Sequence, residues 1–206
     1  MQTHLYTYDL PEDVLFSESV AIDTETMGLC VHRDRLCLMQ FGAGDGNCYL
    51  VHFPQAQYNK SPNICKILKS DQILKIFHYG RFDIAVIAIS FGIFPRNVYC
   101  TKIASKLVRT FTDRHSLKSL CYDLLGIEIS KQSQSSDWGS SVLSQEQISY
   151  AGTDVLYLHN LKEKLDILLA REKRMDIAKA CFEFLPYRVA IDIWAGETYD
   201  IFAHKT

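Results

Sequence analysis

The sequence predicts an α/β domain in which helices pack on a mixed β-sheet. Two observations carry this. The first quarter of the chain holds three short apolar runs separated by turn residues, the pattern of an antiparallel meander. Beyond Pro62 strand and helix periods alternate, an order that lays helices on the sheet.

Taken in order, Ser19-Val20-Ala21-Ile22-Asp23 and Leu36 to Phe41 read as strands, and the cluster Gly42 to Asn47 turns the chain into Cys48 to Val51. Ile64, Ile67 and Leu68 share the face of a short helix, and Ile73 to Phe77 is an apolar strand. Phe82 to Phe91 reads as a helix closed near Gly92, followed by a short strand at Asn97 to Cys100. Helices are expected at Thr101 to Val108 and Ser116 to Leu125, then a polar loop from Lys131 to Ser141. Ser144 with Gln147 forms a capping box that opens a helical region running to about Phe184. That region should break in the charged segment Arg171 to Asp176, and Pro186 predicts a further break before an aromatic tail. With no repeat and no linker, residues 1–206 are expected to form one domain, with the tail from about 171 to 206 used in assembly.

Of 206 residues, 22 are Lys or Arg and 24 are Asp or Glu, a formal charge of −2. Such a surface is poorly suited to gripping long nucleic acid by charge, because each phosphate contact needs a cation. The seven cysteines are odd in number and scattered through apolar runs, so they read as buried hydrophobes of a reducing compartment. The N-terminus has no signal-peptide pattern and no run is long enough to span a bilayer, so a cytoplasmic, soluble protein is expected.

Three segments hold the chemistry. Asp23-Thr24-Glu25 ends an apolar strand and projects two carboxylates from one face, about 6.6 Å apart along the strand. His78-Tyr79-Gly80-Arg81-Phe82-Asp83 follows a second apolar strand. Tyr150 and Asp154 lie four apart, hence adjacent on one face of the capped helix. Each segment alone also fits a plainer role: solvated loop-end charges, a structural histidine, a helix N-terminal Asp, an exposed helical Asp. Together, four carboxylates at the ends of apolar elements suit two hard cations, Mg²⁺ or Mn²⁺, of the kind that clamp an in-line phosphoryl displacement.

Asp23-x-Glu25, His78-x4-Asp83 and Tyr150-x3-Asp154 resemble, in order, the three motifs of the DEDDy 3′–5′ exonucleases. Ser136-Asp137-Trp138 and the stretch Leu143 to Leu158 are similar to ribonuclease D, and the resemblance covers roughly residues 15 to 170. It implies an RNase H-like exonuclease fold with a mixed five-stranded sheet flanked by helices. The segment after Asp154 is too short for the C-terminal helical domains of ribonuclease D, and in this the chain resembles the short stand-alone nanoRNase C type. That type implies RNA dinucleotide substrates and a homo-octamer.

On this resemblance Asp23, Glu25, Asp83 and Asp154 hold the metals, and Tyr150 joins them as a catalytic residue that orients the attacking water. Thr24, Leu29, His78, Arg81, Gln132, Ser136 and Trp138 are the candidate substrate contacts. Leu29 is spaced like the leucine that oligoribonuclease wedges between two bases, and equally fits a residue anchoring its loop. Lys102, Lys106 and Arg109 fall on one helical stripe that would face phosphate or simply solvent. The expected function is a metal-dependent 3′–5′ exoribonuclease acting on short oligoribonucleotides, preferentially 5′-phosphorylated dinucleotides, and releasing nucleoside 5′-monophosphates. Trimming of longer structured RNA and a non-catalytic RNA-binding scaffold are the alternatives.

Overall fold

The structure, a computed structural model, describes residues 2–129 and 136–204. Six strands form one mixed sheet: β1 (Gln2–Thr7), β2 (Ser19–Thr26), β3 (Leu36–Gly42), β4 (Asn47–His52), β5 (Leu74–Phe77) and β6 (Val98–Cys100). Their spatial order is β1-β4-β3-β2-β5-β6. The expected meander is β2-β3-β4, antiparallel throughout, and β5 and β6 extend it in parallel on the β2 side. The sheet has six strands where five were expected, because β1 adds a parallel edge beside β4. Its half-polar sequence, Gln-Thr-His-Leu-Tyr-Thr, reflects that edge position.

The helices are α1 (Pro62–Lys69), α2 (Gly80–Phe91), α3 (Thr101–Val108), α4 (Leu117–Leu120), α5 (Gln145–Leu156), α6 (Leu158–Arg171) and α7 (Met175–Ala195). The expected helix at Ser116–Leu125 is α4 running into a wider π-turn at Cys121–Leu125. α2 closes at Gly92, whose left-handed φ of 67° lets its N–H bond Ala88 O. The capping box is present in both directions: Gln147 N–H donates to Ser144 Oγ and Ser144 N–H to Gln147 Oε1. Gln147 Nε2 also donates to Asp137 O, which ties the Asp137-Trp138 turn to the start of α5.

The expected break at Arg171–Asp176 is found between α6 and α7, and a second interruption falls at Tyr157. Pro186 does not break the chain: it lies inside α7. A proline there loses one backbone bond and crowds the preceding turn, a cost of about 3 kcal/mol. Phe182, Leu185 and Val189 are buried around it, and their apolar contact offsets that cost. The core proper lies where Ile22, Phe41 and Phe77 of the sheet meet Ile84, Leu161 and Leu165 of the helices. Among the described residues no helix is long and apolar enough to cross a membrane.

Candidate active site

β2 supplies the first two carboxylates. Alternation along the strand sends Asp23 and Glu25 to one face and Thr24 to the other. The ladder with β3 slips between Glu25 and Thr26, a bulge immediately after the second carboxylate. Across that face α5 brings Asp154, and one ligand oxygen from each of Asp23, Glu25 and Asp154 lies within 4.8 Å of the others. Thr24, from the opposite face, donates its hydroxyl to Asp83 Oδ1 at 2.7 Å.

Asp83 arrives by a sharp reversal after β5. Tyr79 takes the left-handed conformation (φ 63°, ψ 40°), uncommon for a side chain of its size. The next residue must be glycine, since a Cβ on Gly80 would sit 2.7 Å from Phe77 Cβ. α2 therefore starts immediately, with the buried Asp83 in its first turn, where the helix dipole favours an anion. The three segments picked out in the sequence thus converge.

They line a cleft of about 660 Å³ that also takes in Leu29, His78, Lys102, Lys118, Ser136, Trp138 and Tyr150. Burial, then the charges of Asp83, Asp154 and Glu25, holds the Asp23 carboxyl well above the usual carboxylate range. Glu25 is pushed to about 9 by burial and by Asp154 and Asp83. Burial raises Asp83 and Asp154 to about 7, partly offset by the Thr24 hydroxyl for the one and by Tyr150 for the other. Four carboxylates that resist ionising together are a site short of positive charge. Clustered oxygens of this kind fit a hard divalent cation, and Asp23, Glu25 and Asp154 are the residues placed to hold it. Among the described residues no other group of three or more His, Cys, Asp or Glu side chains is so placed.

The Tyr150 phenol is raised still further above its ordinary value by burial and by Asp154, Glu25 and Asp23. It stays protonated and can donate, not accept, a proton. Its ring lies 6.3 Å from that of Trp138. Burial, then Lys102, lowers His78 to about 3, so it is neutral. Its Nδ1 pairs with Thr101 Oγ1 at 2.9 Å.

The candidate substrate contacts fare unevenly. Leu29 stands at the mouth of the cleft, 85% exposed, and Ser136 and His78 line its walls. Trp138 borders the cleft but is almost wholly buried among Cys37, Leu38, Leu50 and Ala151. Thr24 spends its hydroxyl on Asp83, so it orients a carboxylate instead of offering a free donor. Arg81 does not line the cleft: its guanidinium grips Asp192 of α7. Gln132 lies outside the described residues. The basic stripe does not hold as one surface, because Arg109 is buried against Asp123 and the Arg114 carbonyl while Lys102 alone of the three lines the cleft.

Among the cleft residues that the sequence reading did not single out is Tyr79. Tyr79 sits under Lys102, whose Nζ is 4.4 Å from the ring centre, and Lys118 adds a second cation to the wall. One tyrosine does not stand out in a chain with 11; only the left-handed turn at Tyr79 marks it.

Residues 7–170 match the family model described as 3′–5′ exonuclease. Ribonuclease D of Granulibacter bethesdensis is 33% identical over 156 residues, 76% of this chain; the chain spans only 39% of that protein. Two solved structures of Brucella melitensis NrnC cover the whole of both chains. One with bound Mg²⁺ is 50% identical at a TM-score of 0.93, and one bound to pGG is 51% identical at 0.94. The chain belongs to the 3′–5′ exonuclease family, in its ribonuclease D-like, DEDDy branch.

Proposed function

We propose that this protein is a divalent-metal-dependent 3′–5′ exoribonuclease that hydrolyses short oligoribonucleotides, above all 5′-phosphorylated dinucleotides, to nucleoside 5′-monophosphates. The observation that carries this is the convergence of the Asp23, Glu25 and Asp154 oxygens within 4.8 Å, in a cleft of about 660 Å³. That volume lies in the range of small-ligand sites. The full-length likeness to an NrnC bound to the dinucleotide pGG supports the substrate class.

Asp23, Glu25, Asp83 and Asp154 would hold two cations, Mg²⁺ or Mn²⁺. Bound there, such cations lower the pKa of water and stabilise charge on the phosphoryl oxygens. Tyr150, fixed as a donor, orients the attacking water toward the phosphorus from its place beside Asp154. Thr24 holds Asp83 in register with the other carboxylates. Neutral His78 meets the 3′-terminal ribose, where a 2′-hydroxyl is a partner that DNA lacks. Among the described residues of the cleft, Lys102 and Lys118 are the cations available to the substrate phosphates, and Leu29 separates the two bases at the mouth.

A non-catalytic scaffold would have no reason to keep four mutually repelling buried carboxylates. Longer RNA would need a continuing positive track, which a net charge of −2 does not favour. The seven unpaired cysteines suit a reducing compartment such as the cytoplasm. The tail exposes Phe184, Tyr187, Trp194 and Phe202, an apolar surface suited to self-association into a homo-oligomer, with eight subunits implied by the nanoRNase C resemblance. Light scattering at micromolar concentration tests this, and a monomer would refute it.

The activity is tested by product analysis. Wild-type protein with Mg²⁺ should convert a 5′-phosphorylated diribonucleotide to mononucleotides; EDTA and Asp154→Asn should each abolish the conversion. Turnover persisting in EDTA would overturn the metal-dependent reading.

A further inference from the structure

Gln40 lies directly opposite Asp23 in the β2–β3 ladder. Paired residues of an antiparallel sheet leave it on the same face with adjacent Cβ atoms, so the Gln40 side chain leaves the sheet next to that of Asp23. Its other ladder neighbour, Leu50 of β4, offers no polar side chain. Gln40 is fully buried, at 0% exposure, and neither its Nε2 nor its Oε1 has a hydrogen-bond partner. A buried amide with both ends unpaired is costly, and a leucine or methionine would fill the space without that cost. The polar side chain that the ladder register places directly beside the amide is that of Asp23.

We propose that Gln40 is the positioning residue of Asp23, donating its side-chain N–H to the Asp23 carboxylate when that carboxylate is ionised and holding a divalent cation. A carboxylate that ligates a cation is acceptor-only, and an outer hydrogen-bond donor fixes which way it faces. An amide suits the place better than Lys or Arg, since it donates without adding a charge that would compete with the cation. The register sets the pairing: a one-residue slip would turn Gln40 to the opposite face. This rests on the reading that Asp23 holds a cation, and the test separates the two.

Mn²⁺ affinity is measured by calorimetry, and thermal unfolding is followed in EDTA, for wild type, Gln40→Met, Asp23→Asn and the double variant. Gln40→Met should bind Mn²⁺ about 10–100-fold more weakly, while its unfolding temperature in EDTA holds or rises. In the Asp23→Asn background the same change should have no further effect on Mn²⁺ affinity. Unchanged Mn²⁺ affinity in Gln40→Met, with Asp23→Asn clearly weakened, would overturn this proposal and leave the metal site standing. Equal affinity in Asp23→Asn and wild type would instead overturn the metal site. If Gln40→Met does not fold, the side-chain amide resonances of Gln40 in wild type decide: they should shift on adding Mg²⁺, and no shift would refute the pairing.

Discussion

The guanidinium of Arg81 closes on Asp192 through two bonds, Nε to Oδ2 at 2.5 Å and Nη2 to Oδ1 at 2.7 Å, and so ties α2, which carries Asp83, to the end of α7. Arg188 joins the same carboxylate at 2.9 Å, and both arginines also bond the Glu197 carbonyl beyond the helix. A residue two positions from a candidate metal ligand is thereby committed to holding the C-terminal helix.

Arg81→Met should lower stability by about 2 kcal/mol, since it removes charge-assisted bonds from an Asp192 that is almost fully buried. Thermal unfolding measures this. A substrate contact would behave in the opposite way, with an unchanged unfolding temperature and a raised KM.

The carboxylates make stability depend on pH in a defined direction. Glu25 at about 9 and Asp83 and Asp154 at about 7 bind protons more tightly in the folded than in the unfolded chain, where carboxyls titrate near 4. Their contribution is therefore fully present below about pH 4 and is lost as pH rises through about 7 to about 9. In EDTA the unfolding temperature should fall across this window beyond what a variant lacking the cluster shows. Mg²⁺ should raise it more at alkaline than at acidic pH. A flat profile in EDTA would contradict the geometry of the cluster.

Tyr150→Phe removes one hydroxyl and leaves the ring packed near Trp138, so the fold and Mn²⁺ affinity should survive. The hydrolysis rate should fall by about 10²-fold or more. Because the phenol is held protonated, the variant should lose kcat without displacing the alkaline limb of the pH–rate profile. Wild-type kcat in the Phe variant would reduce Tyr150 to a packing residue.

Local rules made much of this molecule legible in its sequence. Short apolar runs between turn residues announced the meander, Gly92 the end of α2, and the Ser144–Gln147 pair the start of α5, because each is decided by residues within a few positions. The three acidic segments could be read as one site because each sits at the end of an apolar element. What escaped depends on distant partners. β1 is a strand through its pairing with β4, Pro186 stays helical through the packing of its neighbours, and Arg109 is buried because Asp123 receives it. Arg81 reads as a substrate contact only by resemblance, from the position of its loop, and its partner Asp192 lies too far along the chain for local rules to reveal.

The proposed function fits the cleft to two nucleotides. Its direct test is a time course on 5′-phosphorylated RNAs from two to seven nucleotides with Mg²⁺ present, each length followed separately. The dinucleotide should be consumed much faster than the heptamer, because a net charge of −2 does not favour the continuing positive track that the heptamer's further phosphates would need. Equal rates at every length would contradict the dinucleotide reading and leave a general ribonuclease D-like exonuclease.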